Sequence, residues 1–133
     1  LELTFLCAPK VNILKFANLL IIGTMKGGTT VLHESLCTHP SIDSGSQKEI
    51  HYYSLFPHRG RQWYANHFEN CTSRYCVDAS PCYFDSAQRE QIPRLIARSV
   101  PDIKIILIVR DPVARAISHF FHMKKVVKAN LLE

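Results

Sequence analysis

Nowhere does this 133-residue sequence hold an uninterrupted apolar run near the ~20 residues that a membrane-spanning helix needs, so no transmembrane helix is expected in it. The amino-terminal stretch "LELTFLCAPKVNILKFANLLIIG" carries Lys10, Asn12, Lys15 and Asn18 among its apolar residues. Charge scattered in this way also fits a secretory signal poorly. The sequence opens on Leu1 rather than methionine, as a polypeptide lacking upstream residues would. Internal repeats and low-complexity tracts are absent, which excludes solenoid architectures. Cysteines are few and irregular: Cys7, Cys37, Cys71, Cys76 and Cys82 make an odd set of 5, which does not form a small disulfide framework. Cys71 and Cys76 are spaced like half a metal knuckle, yet no second pair at zinc spacing follows. A single Cys71–Cys76 disulfide stays open and would imply a secretory compartment; otherwise the thiols read as small buried hydrophobes.

What is present describes one globular domain. Hydrophobic residues make up 47% and charged residues 20% of the chain, ordinary usage for a folded protein rather than a disordered one. A chain of this length buries roughly two thirds of its unfolded surface, enough for a packed core without covalent staples. The formal charge is +5. That excess attracts nucleic acid, an anionic membrane, an acidic polymer or an anionic small ligand alike, and does not choose among them.

Along the chain, strands and helices alternate. "NLLIIG" (Asn18 to Gly23) is a short apolar run closed by glycine, as in a buried parallel strand, and a helix is predicted from about Thr29 to Thr38, before Pro40. "SQKEIHYYS" reads as a short strand or extended loop. "RQWYANHF" reads as an amphipathic helix with Trp63, Tyr64 and Phe68 on its apolar side, and "RYCVDAS" as a second strand ending in a turn at Pro81. "SAQREQIPRLIARSV" is helical, with Pro93 in its first turn or at a kink. "IKIILIVR" (Ile103 to Arg110) is the strongest strand signal. "DPVARAISHFFHMKKVV" then begins a helix with Asp111 as N-cap and Pro112 at the first helical position. This alternation implies an α/β fold with a central parallel sheet and a site at the carboxyl ends of its strands.

Both strong strands end in a signal for binding anions. The first leads into "IIGTMKGGTT", a glycine-rich turn that opens a helix, so that loop N–H groups and the helix N-terminus converge on an anion. In the nucleoside-triphosphatase loop the lysine follows the last glycine; here Lys26 precedes Gly27 and Gly28. The second strand delivers Arg110, with Ser118 about two helical turns further on. Two cationic sites on strand ends suit a ligand with two separate anionic groups.

These residues resemble the sulfotransferases that use 3′-phosphoadenosine 5′-phosphosulfate as donor. "IIGTMKGGTT" is similar to their 5′-phosphosulfate loop and "LIVRDPVARAISHFFHMKK" to their 3′-phosphate motif. "SQKEIHYYS" is similar to the lysine-glutamate-x-histidine-aromatic segment of the glycosaminoglycan branch, heparan type included. The resemblance runs from about Leu19 to Lys125 and implies a three-layer fold, related to that of the P-loop proteins, with helices flanking the parallel sheet. It implies that Lys26 is the electrostatic catalyst, that Gly27 and Gly28 let the backbone approach the ligand, and that Thr29 and Thr30 contact the 5′-phosphate. Arg110 and Ser118 would bind the 3′-phosphate. Glu49 would be the general base, His51 would orient the acceptor or the base, and Lys48 and Asp78 would lie on the acceptor side. Where heparan-type members carry an acidic residue followed by lysine, Asp78 is followed here by Ala79.

The resemblance further implies a carbohydrate acceptor, a glycosaminoglycan chain by preference, with no metal and no nucleic-acid partner. It implies the Golgi lumen as location, with membrane attachment through a segment outside this chain. Residues 1–133 are expected to form a single, partial domain, since members of the family continue past the position of Glu133. Two rival readings remain at this point. One is a P-loop nucleotide kinase or ATPase with Asp111 as magnesium ligand, disfavoured by the place of Lys26; the other is a non-catalytic binder of acidic polysaccharide. His119 and His122, one turn apart without a carboxylate or thiol partner, read as helix residues rather than a metal site.

Overall fold

The structure, a computed structural model, describes residues 14–85 and 90–130. Four short strands form one parallel sheet: β1 (Leu19–Ile21), β2 (Ile42–Ser44), β3 (Tyr75–Ala79) and β4 (Lys104–Ile106), in the spatial order β2-β3-β1-β4. Leu20 of β1 lies opposite Asp78 of β3 on one side and Ile105 of β4 on the other. Parallel neighbours require crossovers, and these are supplied by α1 (Thr29–Cys37), α2 (Gly60–Asn66), the short α3 (Cys82–Asp85) and α4 (Gln91–Ser99). The last helix, α5 (Pro112–Asn130), leads away from β4.

Period-two alternation sorts the central strands between two cores. Leu19 and Ile21 of β1 pack with Val77 and Ala79 of β3 on one face, against Leu32 and Leu36 of α1. Leu20 and Cys76 point to the other face, into an aromatic-rich core of Phe16, Tyr52, Tyr53, Tyr64, Phe68 and Tyr83 closed by Ile92 and Ile96 of α4. Strands covered on both faces become continuous apolar runs, which is why "LLII" carries no polar residue. Leu20 and Ile21 are fully buried, and each contributes about 1.5–3 kcal/mol of burial free energy.

The strand order reverses at β1: the chain moves outward through α1 to β2 and β3, then returns to the far side of β1 as β4. Ligands of open α/β sheets bind at such a switch point, beyond the carboxyl ends of the strands. The β1–β4 ladder extends to that end, with Ile22 N–H donating to Ile106 O at 2.9 Å and Thr24 N–H to Ile108 O at 3.0 Å.

Several elements differ from the sequence reading. The strand predicted over Ile103 to Arg110 is assigned only at Lys104–Ile106, and it is an edge strand with Ile105, Leu107 and Val109 exposed. β2 and α3 had not been foreseen, and of the two readings of "SQKEIHYYS", strand or extended loop, the loop is the one observed, with bends over 46–48 and a turn over 52–54. Pro93 lies in the first turn of α4; the preceding residues 86–89 of the predicted helix fall outside the described residues. Asp111 caps α5 as expected, its Oδ1 accepting from Ala114 N–H at 2.8 Å. Cys71 and Cys76 are free thiols, so the disulfide is not formed. Among the described residues no helix is long and apolar enough to cross a membrane.

Candidate active site

The loop after β1 turns on Gly28, which caps α1 in the left-handed conformation (φ 105°) with no side-chain cap. Only glycine takes this conformation without strain. A Cβ there would meet nothing within 4 Å, so the space above the turn is open to a ligand. At Gly27 a Cβ would lie 2.8 Å from the carbonyl oxygen of Thr24, whose acceptance of the Gly27 N–H folds the loop back on itself. The first turn of α1 contains no acidic residue, and its N–H groups present a partial positive charge to the open space.

The loop after β4 is joined to this one. Arg110 Nη1 donates to the Lys26 carbonyl at 3.2 Å, so the guanidinium at one strand end is tied to the backbone of the lysine at the next. On the other side Met25 N–H donates to Asp85 Oδ2 at 3.0 Å, and the same carboxylate lies 3.9 Å from Arg115 of α5. These contacts are exposed and individually weak. Together they fix the distance between the first loop, α3 and the start of α5.

The third contribution comes from the segment between β2 and α2. Glu49 and His51 both have left-handed backbones, with φ of 61° and 57°. The His51 carbonyl accepts three N–H groups, from Ser54 (3.2 Å), Leu55 (2.8 Å) and Phe56 (3.2 Å). The His51 N–H donates to Ser80 Oγ at 3.1 Å, and Ser80 in turn donates to Asp78 Oδ1 at 2.7 Å. Asp78 is thus the anchor of the turn. Its side chain is 1% exposed and its Oδ2 also accepts from Tyr64 (3.0 Å) and Tyr83 (2.8 Å). Burial pushes the Asp78 carboxyl up, against the hydrogen bonds from Ser80, Tyr83 and Tyr64, which favour the charged form. Burial and the nearby Asp78 charge likewise push the Tyr64 and Tyr83 hydroxyls far up, so both remain donors.

These pieces enclose a cleft of about 370 Å³ lined by Lys26, Gly28, Thr29, Thr30, Glu49, His51, Arg110 and Ser118, with Met25, Pro81, Cys82 and His122. The cleft therefore unites most residues that the motifs single out. Three others stand apart from its lining. Asp78 is sealed beneath the site, and Lys48 reaches it only through Glu49, whose Oε1 its ammonium contacts at 2.5 Å. Gly27 supports the loop without lining the cleft. The sequence reading missed Cys82, whose Sγ lies 2.8 Å from His51 Nδ1 and 2.9 Å from Ser54 Oγ, and His122, which shares a helix face with Ser118. The i, i+4 spacing of Ser118 and His122 carries the only signal that could have placed His122 there.

Among the described residues the non-glycine positions with positive φ are Lys26 (65°), Glu49 (61°) and His51 (57°). All three face the same cleft. A left-handed backbone at ordinary residues is uncommon, persists only where surrounding contacts enforce it, and gathers at functional sites. The cleft brings together two cations, Lys26 and Arg110, the first turn of α1 with its N–H groups, and a carboxylate, Glu49. Such a set can hold a ligand with two anionic groups and offers a carboxylate able to take a proton. No cluster able to hold a metal ion occurs among the described residues.

Comparison with known proteins places the chain in a family. Residues 17–132 match the sulfotransferase domain family. The chain is 37% identical over 129 residues to the membrane-associated sulfotransferase kil1 of Dictyostelium discoideum, covering 93% of this chain and 27% of that protein. It is 36% identical over 104 residues to heparan sulfate glucosamine 3-O-sulfotransferase 5 of Homo sapiens, covering 76% of this chain and 29% of that protein. To the human bifunctional heparan sulfate N-deacetylase/N-sulfotransferase 3 it is 38% identical over 114 residues, covering 79% and 13%. Among solved structures, a sulfotransferase from Alicyclobacillus acidocaldarius superposes with a TM-score of 0.75 at 26% identity, over 84% of this chain and 51% of that one. The chain thus spans less than a third of the length of these curated relatives.

Proposed function

Since the chain belongs to the sulfotransferase domain family, we propose that its cleft binds 3′-phosphoadenosine 5′-phosphosulfate and directs the sulfuryl group to a hydroxyl of a carbohydrate, a glycosaminoglycan by preference. The observation that carries this reading is the convergence of the left-handed Lys26, Glu49 and His51 on one cleft that also holds Arg110 and Ser118.

The residues present suit such a donor. The open space above Gly28 and the uncapped first turn of α1 suit a 5′-phosphate, with the Thr29 and Thr30 hydroxyls beside it. Arg110 and Ser118 suit the 3′-phosphate, for which a guanidinium supplies paired donors. In the transfer, the acceptor oxygen forms a bond to sulfur as Glu49 takes its proton. The bond from sulfur to the bridging oxygen of the donor breaks, and adenosine 3′,5′-bisphosphate departs. Lys26 neutralises the charge that grows on that oxygen. A sulfuryl group carries less charge than a phosphoryl group, so a lysine ahead of the glycines suffices where a kinase loop organises magnesium. Asp78, sealed under the turn, serves as the anchor of His51 in this reading rather than as an acceptor contact.

The identities to heparan sulfate sulfotransferases favour a glycosaminoglycan acceptor, and a Golgi-lumenal, membrane-attached setting belongs to the same reading. The test is calorimetric titration of the full-length protein with adenosine 3′,5′-bisphosphate, paired with transfer of radiolabelled sulfate to heparan sulfate. The expected result is saturable bisphosphate binding, weakened by removal of the 3′-phosphate, and transfer that needs no magnesium. Preference for a magnesium-bound triphosphate would sink the reading.

A further inference from the structure

Cys82 occupies a position in the cleft that no motif explains. Its thiol touches His51 Nδ1 at 2.8 Å and Ser54 Oγ at 2.9 Å, and the other ring nitrogen, His51 Nε2, lies 3.6 Å from Glu49 Oε2. We infer that Cys82 is a positioning residue for Glu49, acting through His51: its S–H donates to Nδ1, which leaves the ring proton on Nε2 and aims it at the carboxylate. The inference rests on the reading of Glu49 as the base.

Counting protons leads to this assignment. A carboxylate only accepts, so the imidazole nitrogen facing Glu49 must be the one that carries hydrogen. In the neutral ring the other nitrogen, Nδ1, is then an acceptor and needs a donor. The Cys82 thiol is within reach. The Ser54 hydroxyl can hand its own proton either to Sγ or, at 3.3 Å, to the His51 carbonyl, and in both cases the sulfur keeps its hydrogen for the ring. Burial pushes the Cys82 thiol up, with the charges of Asp78 and Glu49 adding to the rise against the Ser54 bond, so the sulfur stays protonated. The backbone beneath the ring is already fixed: the His51 N–H is pinned through Ser80 to Asp78, and its carbonyl is held by three N–H groups. The separation of 3.6 Å between Nε2 and the carboxylate is longer than a made hydrogen bond, and catalytic hydrogen bonds tighten when substrate binds. Cys82 fixes the tautomer and the ring angle, and Glu49, freed from Lys48, finds a donor waiting.

The experiment compares Cys82→Ala and Cys82→Ser in the full-length protein by three readouts: nitrogen-15 shifts of the His51 ring, transfer to heparan sulfate, and affinity for adenosine 3′,5′-bisphosphate. In the parent protein the ring is expected as the Nε2–H tautomer, and in Cys82→Ala as a mixture. Turnover of Cys82→Ala should fall about tenfold, the equivalent of one ordinary hydrogen bond, with bisphosphate affinity within about twofold. Serine keeps a donor and should recover most of that loss. An Nδ1–H ring in the parent protein, unchanged turnover in Cys82→Ala, or equal losses in both variants overturns the assignment. Failure of the parent protein to bind the bisphosphate would overturn the functional reading instead, and the ring spectrum decides the thiol–imidazole link in either case.

Discussion

On the proposed reading, two substitutions in the cleft separate chemistry from binding. Glu49→Gln keeps the shape of the side chain and removes its basicity. In the full-length enzyme turnover should fall by about 10² to 10⁴, the usual worth of a positioned base, while calorimetry finds bisphosphate affinity nearly unchanged. Arg110→Ala should do the reverse, loosening the bisphosphate by about 1.5–3 kcal/mol with little effect at saturating donor. If Glu49→Gln loosens the nucleotide and spares saturated turnover, the carboxylate is structural. Lys26→Ala should lower the rate by two orders of magnitude or more, since a cation aimed at developing charge in a sheltered site is worth about 3 kcal/mol. Lys26 and Arg110 were legible in the sequence because each lies in a local pattern, a glycine turn after one strand and the end of another, while Glu49 was reached only through the resemblance of "SQKEIHYYS". The residues that support them were not. Cys82 meets His51 across 31 positions and Asp85 meets Met25 across 60, and no local pattern encodes contacts that exist only after the sheet has formed.

At the scale of elements the same distinction holds. α1 and α5 were legible from a glycine turn and from Asp111-Pro112. β2 was not, because "IDS" has no pattern of its own and is a strand only through its pairing with "YCV" of β3. "IKIILIVR" announced a buried strand and is an exposed edge, since an apolar run states that cover is needed without stating what provides it. His33, buried on α1, joins the helix to β2 through Ser44 Oγ at 3.1 Å. Burial, aided by Lys48, holds its imidazole below the usual value of 6.5. The unfolded chain therefore binds the proton first, so stability is present above about pH 6.5 and declines as pH falls toward the folded value. Denaturant titrations between pH 5 and 7 should show this slope, and His33→Asn should flatten it; an unchanged slope would assign the acid sensitivity elsewhere. α5 is the least anchored element, with residues 120–128 exposed along its length. Amide exchange there should be fast compared with β1 and β3. Added bisphosphate should slow exchange near Arg110 to His122 and leave the far end of α5 alone.

For the whole molecule, the decisive feature is how α5 divides its faces. At about 100° per residue, Ser118 and His122 fall on one side, toward the cleft. Val113, Phe120 and Val127 fall nearly opposite and Ile117 on the flank beside them, with Ile117 54% and Phe120 63% exposed. Neither core of the sheet claims these four side chains, while Ile105, Leu107 and Val109 add exposed apolar surface at the β4 edge. An apolar stripe of this extent is unusual on a monomer in water, and the parallel edge at β4, unpaired among the described residues, offers backbone groups to another strand. The 133-residue polypeptide taken by itself is therefore expected to associate as its concentration rises and to bind an apolar dye. The variant Ile117→Lys with Phe120→Lys should stay monomeric in sedimentation velocity. Because neither substituted position lines the cleft, its affinity for adenosine 3′,5′-bisphosphate should match that of the parent chain. Monomeric behaviour of the parent at all concentrations would show that the stripe is covered in solution. Loss of nucleotide binding in the variant would show instead that the two faces of α5 are coupled, and that the cleft depends on how the apolar side is packed.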